Sequence, residues 1–488
     1  MPVSSARTDP PAPLPGGSYH LAGIAGVGMS ALAQALADAG CRVSGSDRHL
    51  DQGRDLEVLR TLEAAGVRLF PQDGSGLTAA TSALVRSTAV EAGNADLEAA
   101  RRLGLPVLHR AHVLAQLVAG RRGVAVAGTC GKTTVTGMAG WLLEQLGADP
   151  TVINGGAVVN WTGGARLGSV RRGASGLCVY EADESDRSFL VFEPDWAVVT
   201  NISKDHFELD EAVALFREFA GRVREGVVAG PGAAALLRGA IDDARLHLPT
   251  PPARVRPGAG GGVAFEYAGL TFEIPLPGRH NAENAWIALA LCERLGLDLA
   301  RARDAFREFR GIRRRLELVG RAGGVTVRDD YAHNPEKLRA AWAAAAEAAP
   351  RVAGVWRPHG FGPLSLMMEE LAAAFAAACR PQDRLCLLPV YYAGGTAHGA
   401  ATSEDLAARL RARGAKAEVF PDYAALEAEL VAWLRADDTL LVMGARDPDL
   451  PVFARRMVER LAARNPQDQT PKRDTHRSPS FSSSSSSS

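Results

Sequence analysis

Short apolar runs of four to six residues recur along the chain. Between them lie longer stretches whose apolar positions return every three or four residues. Runs of the first kind read as buried strands and stretches of the second kind as helices that cover them. Residues 19–24, 41–45, 67–70, 83–87 and 106–109 form the first set of strands, with helices predicted over 29–39 and 53–65. A second set starts at 123–127 and includes 177–180 and 196–200; helices are predicted over 135–146, 281–295 and 299–309, and a small antiparallel patch over 253–277. A third set comprises 325–330, 352–356, 384–388, 417–420 and 439–443, with a helix over 335–348. Strands alternating with helices predict an α/β protein of doubly wound, mostly parallel sheets. The expected division is 17–120, 121–318 and 319–464. The Pro-rich 1–16 and the polar, serine-ending 465–488 are expected to be disordered.

Chemistry concentrates where strands give way to helices. Ala127-Gly128-Thr129-Cys130-Gly131-Lys132-Thr133-Thr134 lies at such a junction, and Lys132 is the only lysine before Lys204. Strand, glycine turn, lysine and helix form an anion cradle, in which backbone N–H groups and a helix N-terminus face a phosphate. Thr133 offers a hydroxyl for Mg²⁺. The pattern departs from the strict phosphate-loop motif, because Val126 stands where its first glycine belongs. A plain strand-to-helix turn is the alternative. Gly23-Ile-Ala-Gly26-Val-Gly28 forms a second glycine turn, with Asp47 closing the next strand as a candidate ribose ligand. That turn can also serve helix packing alone, and its spacing is not that of a dinucleotide site.

Glu181-Ala-Asp-Glu-Ser-Asp186 places four acids in six residues after a strand. They repel one another unless a cation sits among them, and Glu181 suits Mg²⁺. Asp205-His206 follows the next strand on the rim where such sheets bind ligands. Asn281 and Asn284 share one face at a helix start and can read a base edge; N-capping by Asn281 is the alternative. Asp330 and His333, in Asp329-Asp330-Tyr331-Ala-His333-Asn334-Pro335, fit an acid and a polar contact beside a reacting phosphate, and Asn334 suits the cap of the following helix.

The composition narrows the classes. Net charge is zero and the pI near 7.2, so nothing marks a nucleic-acid or membrane-surface binder. Six scattered cysteines without CxxC spacing point to reduced thiols in a cytoplasmic protein. No apolar run nears the ~20 residues that cross a bilayer, and no signal peptide is expected.

Taken in order, 23–30, Ser87-Thr-Ala with Asn94, 128–134, Asn154-Gly-Gly, 181–186, Asn201 with Asp205-His206, 277–284, 313–315 and 329–335 resemble the Mur ligase family, over about residues 18–460. Its alanine-adding branch and the related murein-peptide recycling ligase are the most similar. The resemblance implies three domains: one for a UDP-sugar, a central ATPase and one for an amino acid. It implies an ATP- and Mg²⁺-dependent ligase joining L-alanine to the carboxylate of UDP-N-acetylmuramate through an acyl phosphate, in peptidoglycan precursor synthesis. Another amino acid or a peptide as the amine is one alternative. A non-catalytic nucleotide-binding relative and a dinucleotide oxidoreductase are the alternatives from other classes.

Carried onto this chain, the family's UDP-sugar contacts fall on Gly26, Gly28, Met29, Ser30, Asp47, Ser87, Asn154 and Ser185. ATP falls to Gly128, Thr129, Cys130, Gly131, Lys132, Thr133, Thr134, Asn281, Asn284, Arg314 and Asp330. Mg²⁺ falls to Thr133, Glu181 and His206, and the amino acid to Tyr331, His333, His359 and Arg446. Lys132, Glu181, His206, Asp330 and His333 form the catalytic set. No lysine stands between Lys204 and Lys337, so the carbamylated lysine of several Mur ligases is missing, as it is in the alanine-adding branch. Cys130 and Asn334 each replace a histidine of that branch. Gly360 and Pro363 stand in Arg357-Pro-His359-Gly360-Phe-Gly-Pro363 where the branch has arginines facing the amino acid's carboxylate. Arg357 and Arg446 are the candidates to replace them.

Overall fold

The computed structural model describes residues 16–392 and 401–464. Apart from Gly16, both segments expected to be disordered lie outside the described residues. Three mostly parallel sheets follow one another along the chain, with a small antiparallel sheet beside the second.

The first sheet has five parallel strands in the order Arg68–Phe70, Arg42–Ser46, Ser18–Ala22, Ala83–Arg86, Val107–His109. Its central strand and the helix Val27–Asp38 bury Leu21, Ile24, Met29, Leu32 and Leu36 in one core. The second sheet has seven strands, ordered Leu246–His247, Gly226–Ala229, Trp196–Val199, Arg122–Ala127, Leu177–Glu181, Thr151–Ile153, Val170–Arg171. Only its last pair is antiparallel. Arg122–Ala127, buried on both faces, delivers the phosphate loop to the N-terminus of the helix Lys132–Gln145. That helix packs through Val135, Met138 and Leu142 onto Ala285, Trp286 and Leu289 of the helix Arg279–Arg294. The third sheet has six strands, ordered Glu317–Ala322, Val325–Asp330, Thr439–Gly444, Val352–Arg357, Arg384–Leu387, Ala417–Val419, with the first pair antiparallel.

The structure corrects several sequence expectations. The helix expected over 53–65 is shorter, Glu57–Ala64; a separate helical turn, Arg48–Asp51, precedes it, and Gly53 turns left-handed (φ +68) between the two. The short strands Thr151–Ile153, Val170–Arg171 and Leu246–His247 escaped notice because two or three residues carry no period. Glu317–Ala322 was likewise not predicted; it holds Gly320 and a register shift, and pairs with Val325–Asp330. Asn281 does not cap its helix; Gly278 does. Asn334 does cap Pro335–Glu347, accepting from the Lys337 N–H at 3.0 Å.

Polar bridges hold the three units together around one site. Gln34 and Asp38 of the first unit bond Leu167 and Arg166 of the second. Asp205 of the second meets Lys337 of the third at 3.3 Å. Arg54 of the first reaches Asp449 of the third at 2.7 Å. Among the described residues no helix is long and apolar enough to cross a membrane.

Candidate active site at the phosphate loop

The loop from Gly128 to Lys132 is fixed from beneath by the end of the neighbouring strand. Asn201 accepts from the Cys130 N–H at 2.9 Å and donates to the Cys130 carbonyl at 2.9 Å, while the Thr200 hydroxyl donates to the same carbonyl at 2.6 Å. Backbone contacts therefore shape the loop at Cys130, and the replacement of the expected histidine leaves them intact. Gly128 (φ +134) and Gly131 (φ +87) are in conformations L side chains avoid. A Cβ on Gly128 would run into Thr200, and one on Gly131 would stand 2.6 Å from the Asn284 oxygen. Asn284 thus lies against the loop; Asn281 supports it, donating to the Pro277 carbonyl at 2.7 Å and receiving a long 3.4 Å contact from Asn284.

Lys132 curls back over this turn. Its Nζ donates to the Gly128 carbonyl at 2.8 Å and pairs with Glu184 at 2.7 Å. Burial works against the ammonium, but Glu184, Asp183 and Glu181 outweigh it and raise the lysine's pKa, so Lys132 is charged. Burial pushes Glu184 up to about 7, against the pull of Lys132. The helix behind contributes N–H groups with no intrahelical partner. The glycine cradle and buried ammonium fit a nucleotide's terminal phosphates.

The acidic run divides its charges among named partners. Glu181 accepts from the Gly155 N–H at 2.9 Å, Asp183 pairs with Arg110 at 2.9 Å, Glu184 holds Lys132, and Asp186 faces His109 at 3.4 Å. The cations expected among these acids are thus supplied in part by the protein. Glu184, Arg110 and His109 were not singled out from sequence. Arg110 offered one signal: it opens the helix Arg110–Val118, where a positive charge opposes the dipole and therefore needs an acid from elsewhere.

Thr133 is buried beside Gly156, and Glu181 beside Gly155, so the two oxygen donors flank one glycine pair. Among the described residues no cluster of three His, Cys, Asp or Glu side chains forms that would cage a metal. A hydroxyl and a carboxylate suit Mg²⁺, which takes one or two protein oxygens and completes its shell with phosphate and water. His206 is 48% exposed, with Asp205 at 3.9 Å.

The first glycine turn faces the same place. A Cβ on Gly28 would sit 3.1 Å from the Arg110 guanidinium that holds Asp183. Gly26 opens the helix, and the Ser30 hydroxyl is spent on the Val27 carbonyl at 3.0 Å. The Met29 side chain is core, so only its backbone is placed to meet a ligand. Asp47 accepts from Ala25 and His49 N–H groups, each at 3.0 Å, and so braces the turn itself. Ser87 accepts a 3.3 Å bond from the Ala89 N–H, and the Ser185 N–H caps Asp183 at 3.2 Å. Asn154 differs from these: its amide is buried, and neither its oxygen nor its nitrogen has a partner.

From the segment that leads into the third sheet, Arg315 reaches the Thr133 hydroxyl at 3.5 Å. The sequence had pointed to Arg314, but that side chain donates to the Gly444 carbonyl at 2.6 Å and lies over Tyr331. Both Asp330 oxygens are taken by backbone, Leu316 N–H at 2.8 Å and Ala332 N–H at 2.7 Å. Asp330 thereby shapes the Tyr331–His333 turn, and each oxygen keeps a lone pair for a further donor. His333 stands edge-on to His359, ring centres 5.4 Å apart. Burial, then Lys337, brings His333 down to about 3; burial, then Arg446, brings His359 to about 4. Both imidazoles are neutral near pH 7.

Three family profiles match successive parts of the chain: "Mur ligase family, catalytic domain" over 18–122, "Mur ligase middle domain" over 126–213 and "Mur ligase, glutamate ligase domain" over 314–446. A UDP-N-acetylmuramate–L-alanine ligase of Agrobacterium fabrum is 35% identical over 88% of this chain and 94% of its own. One from Paenarthrobacter aurescens is 39% identical over 77% and 83%. The crystal structure of the UDP-N-acetylmuramate–alanine ligase of Thermotoga maritima superposes with a TM-score of 0.76 at 26% identity, covering 92% of this chain and 99% of that one. A murein peptide ligase from Psychrobacter arcticus, at 22% identity and TM-score 0.63, shares the fold.

Proposed function

The chain belongs to the Mur ligase family, and from that premise we infer that it is an ATP-dependent UDP-N-acetylmuramate–L-alanine ligase of peptidoglycan precursor synthesis, working in the cytoplasm. One observation carries the reading: all three units converge on the phosphate loop. The second brings Lys132 and Glu184, the first brings Gly28 and Arg110, and the segment that leads into the third sheet brings Arg315.

The chemistry runs in two steps. A muramate carboxylate oxygen attacks the γ-phosphorus of ATP, giving an acyl phosphate and ADP. The amino acid's amine then attacks the acyl carbon, the C–O bond breaks, and inorganic phosphate leaves with the proton count balanced by loss from the ammonium. Phosphoryl transfer depends on alignment and charge neutralisation. Lys132, the loop N–H groups and Arg315 supply positive potential at the transferring group. Thr133 and Glu181, with His206 on the rim, would hold Mg²⁺, which neutralises phosphate charge. Asn154, with its unpartnered amide, and the 26–30 turn suit the UDP-sugar, and the Asn281–Asn284 pair suits the base or phosphates of ATP. His333 and His359, neutral at working pH, can accept a hydrogen bond from the incoming amine. Closure of the units over bound substrates would exclude water from the acyl phosphate.

A different amino acid or a peptide as the amine is the second reading, favoured by Gly360 and Pro363 in place of the branch's arginines. The test is phosphate release with UDP-N-acetylmuramate, ATP and Mg²⁺ against a panel of amino acids and short peptides, with mass spectrometry of the product. An L-alanine adduct supports the first reading, and a peptide adduct the second. No ADP with any acceptor overturns both.

A further inference from the structure

Three arginines near the seam between the first and second units are matched to acids. Arg122 pairs with Glu225 at 2.6 Å, Arg166 with Asp38 at 2.5 Å, and Arg171 with Glu144 at 2.8 Å and Asp149 at 2.6 Å. Arg121 and Arg172, chain neighbours of two of them, meet no carboxylate among the described residues. Each spends one nitrogen on a neutral acceptor: Arg121 on the Thr151 hydroxyl at 2.9 Å, Arg172 on the Asp38 carbonyl at 2.7 Å. The rest of each guanidinium is uncommitted.

Both line one cavity of about 550 Å³, together with the loop Gly173-Ala174-Ser175-Gly176. That loop is fixed from within the second unit. The Gly173 N–H donates to the Thr151 hydroxyl at 3.2 Å, the Ala174 N–H to Asp149 at 2.8 Å, and the Ser175 hydroxyl to the Asp149 carbonyl at 2.7 Å. A Cβ on Gly173 would stand 2.2 Å from that carbonyl oxygen, whereas one on Gly176 would meet open space. The cavity is therefore preformed. Small-molecule sites commonly have volumes of several hundred Å³ and gather where units meet.

A smaller recess, of about 210 Å³, adjoins it. Arg121 and Arg172 line this one too, and Ala35, Leu117, Ile153 and Val170 supply apolar wall. Asp38 is the only acid in either lining, and Arg166 already holds it. Positive charge is thus in surplus at the mouth, over an apolar interior. Such a cleft suits an anion that carries an apolar body, because the head can pair with the guanidinium groups while the body leaves water.

The cleft is separate from the reaction site. Arg121 precedes the strand Arg122–Ala127 and the phosphate loop follows it; six residues at about 3.3 Å each put about 20 Å between them. The 12-residue helix Val27–Asp38 likewise has the glycine turn at its start and the cleft at its end, about 18 Å away. We propose that this cleft is a second ligand site, which takes a small organic oxyanion with an apolar body and holds its charged head between Arg121 and Arg172.

The test is calorimetric titration of the full chain with phenyl phosphate, with ADP and UDP present at saturation to fill the nucleotide-binding turns. Wild type is expected to bind one equivalent. The double variant Arg121→Met, Arg172→Met is expected to bind at least about tenfold more weakly, the scale for losing hydrogen bonds from a charged group. Both side chains are exposed, so its melting temperature and its affinity for ADP should stay near wild type. Arg121→Lys with Arg172→Lys keeps the charge and should fall between. Inorganic phosphate, with no apolar body, should bind more weakly than phenyl phosphate. No saturable binding to wild type overturns the site, and so does equal binding to the methionine double variant. Inorganic phosphate binding as tightly as phenyl phosphate overturns the role of the apolar recess. None of these readouts needs turnover, so they stand apart from the ligase assignment.

Discussion

Lys132 and Glu184 form a 2.7 Å ion pair in which both side chains are almost fully withdrawn from solvent. The pair orders the phosphate loop before any phosphate arrives. Replacing Lys132 by alanine removes the single ammonium of the cradle. Phosphate release should drop by about 10²–10³-fold, the scale for losing one preorganised electrostatic contact. Binding of the UDP-sugar, measured by calorimetry, should change little, and unchanged turnover would remove the central site.

Glu184→Ala tests the other partner. It leaves a buried ammonium with weaker compensation from Asp183 and Glu181. A broken buried pair costs about 3–5 kcal/mol. Asp183 and Glu181 keep the expected loss at the low end, about 3 kcal/mol, read as a lower midpoint in urea.

Gly131→Ala should lose nucleotide affinity at least tenfold in ADP titration, because its Cβ would press on Asn284 and its φ of +87 is strained for alanine. Adding Asn284→Ala relieves the contact but not the dihedral, so the double variant should recover only in part.

Stability should respond to pH through buried histidines. His333, His359 and His280 are held at about 3, 4 and 4, chiefly by burial. An unfolded histidine takes its proton near pH 6.5. The unfolded chain therefore binds protons first, and these three groups lower stability as pH falls from about 6.5 toward 4. Glu184 and Asp329, each raised to about 7 by burial, act in the opposite direction and favour the folded state below that pH. Replacing His280, whose shift comes from burial alone, by glutamine should flatten the acid side of the melting-temperature profile between pH 5 and 6.5. A profile parallel to wild type would refute the assignment.

Much of this architecture was legible in the chain. Arg122–Ala127 and Trp196–Val199 declare themselves because a strand buried on both faces must be continuously apolar. The Gly131–Lys132 junction declares itself because only glycine takes its dihedral. Edge strands were not legible: Val170–Arg171 has no period to read, and its partner is fixed by tertiary packing. Arg314 was preferred to Arg315 because adjacent arginines look alike in sequence. Only the fold reveals that one is spent on Gly444 while the other faces Thr133. The bracing role of Asp330 was not legible for a similar reason, since a carboxylate's backbone partners leave no trace in the order of residues.

The bridge from Arg54 to Asp449 limits how this enzyme can be re-engineered. Its C-terminal unit is not an independent cassette, because Lys337 depends on Asp205 and Asp449 on Arg54, across two other parts of the chain. A chimera that borrows a relative's amine-selecting half would inherit mismatched seams. Transplanting substrate preference will require the cognate residues at 54 and 205 to travel with it.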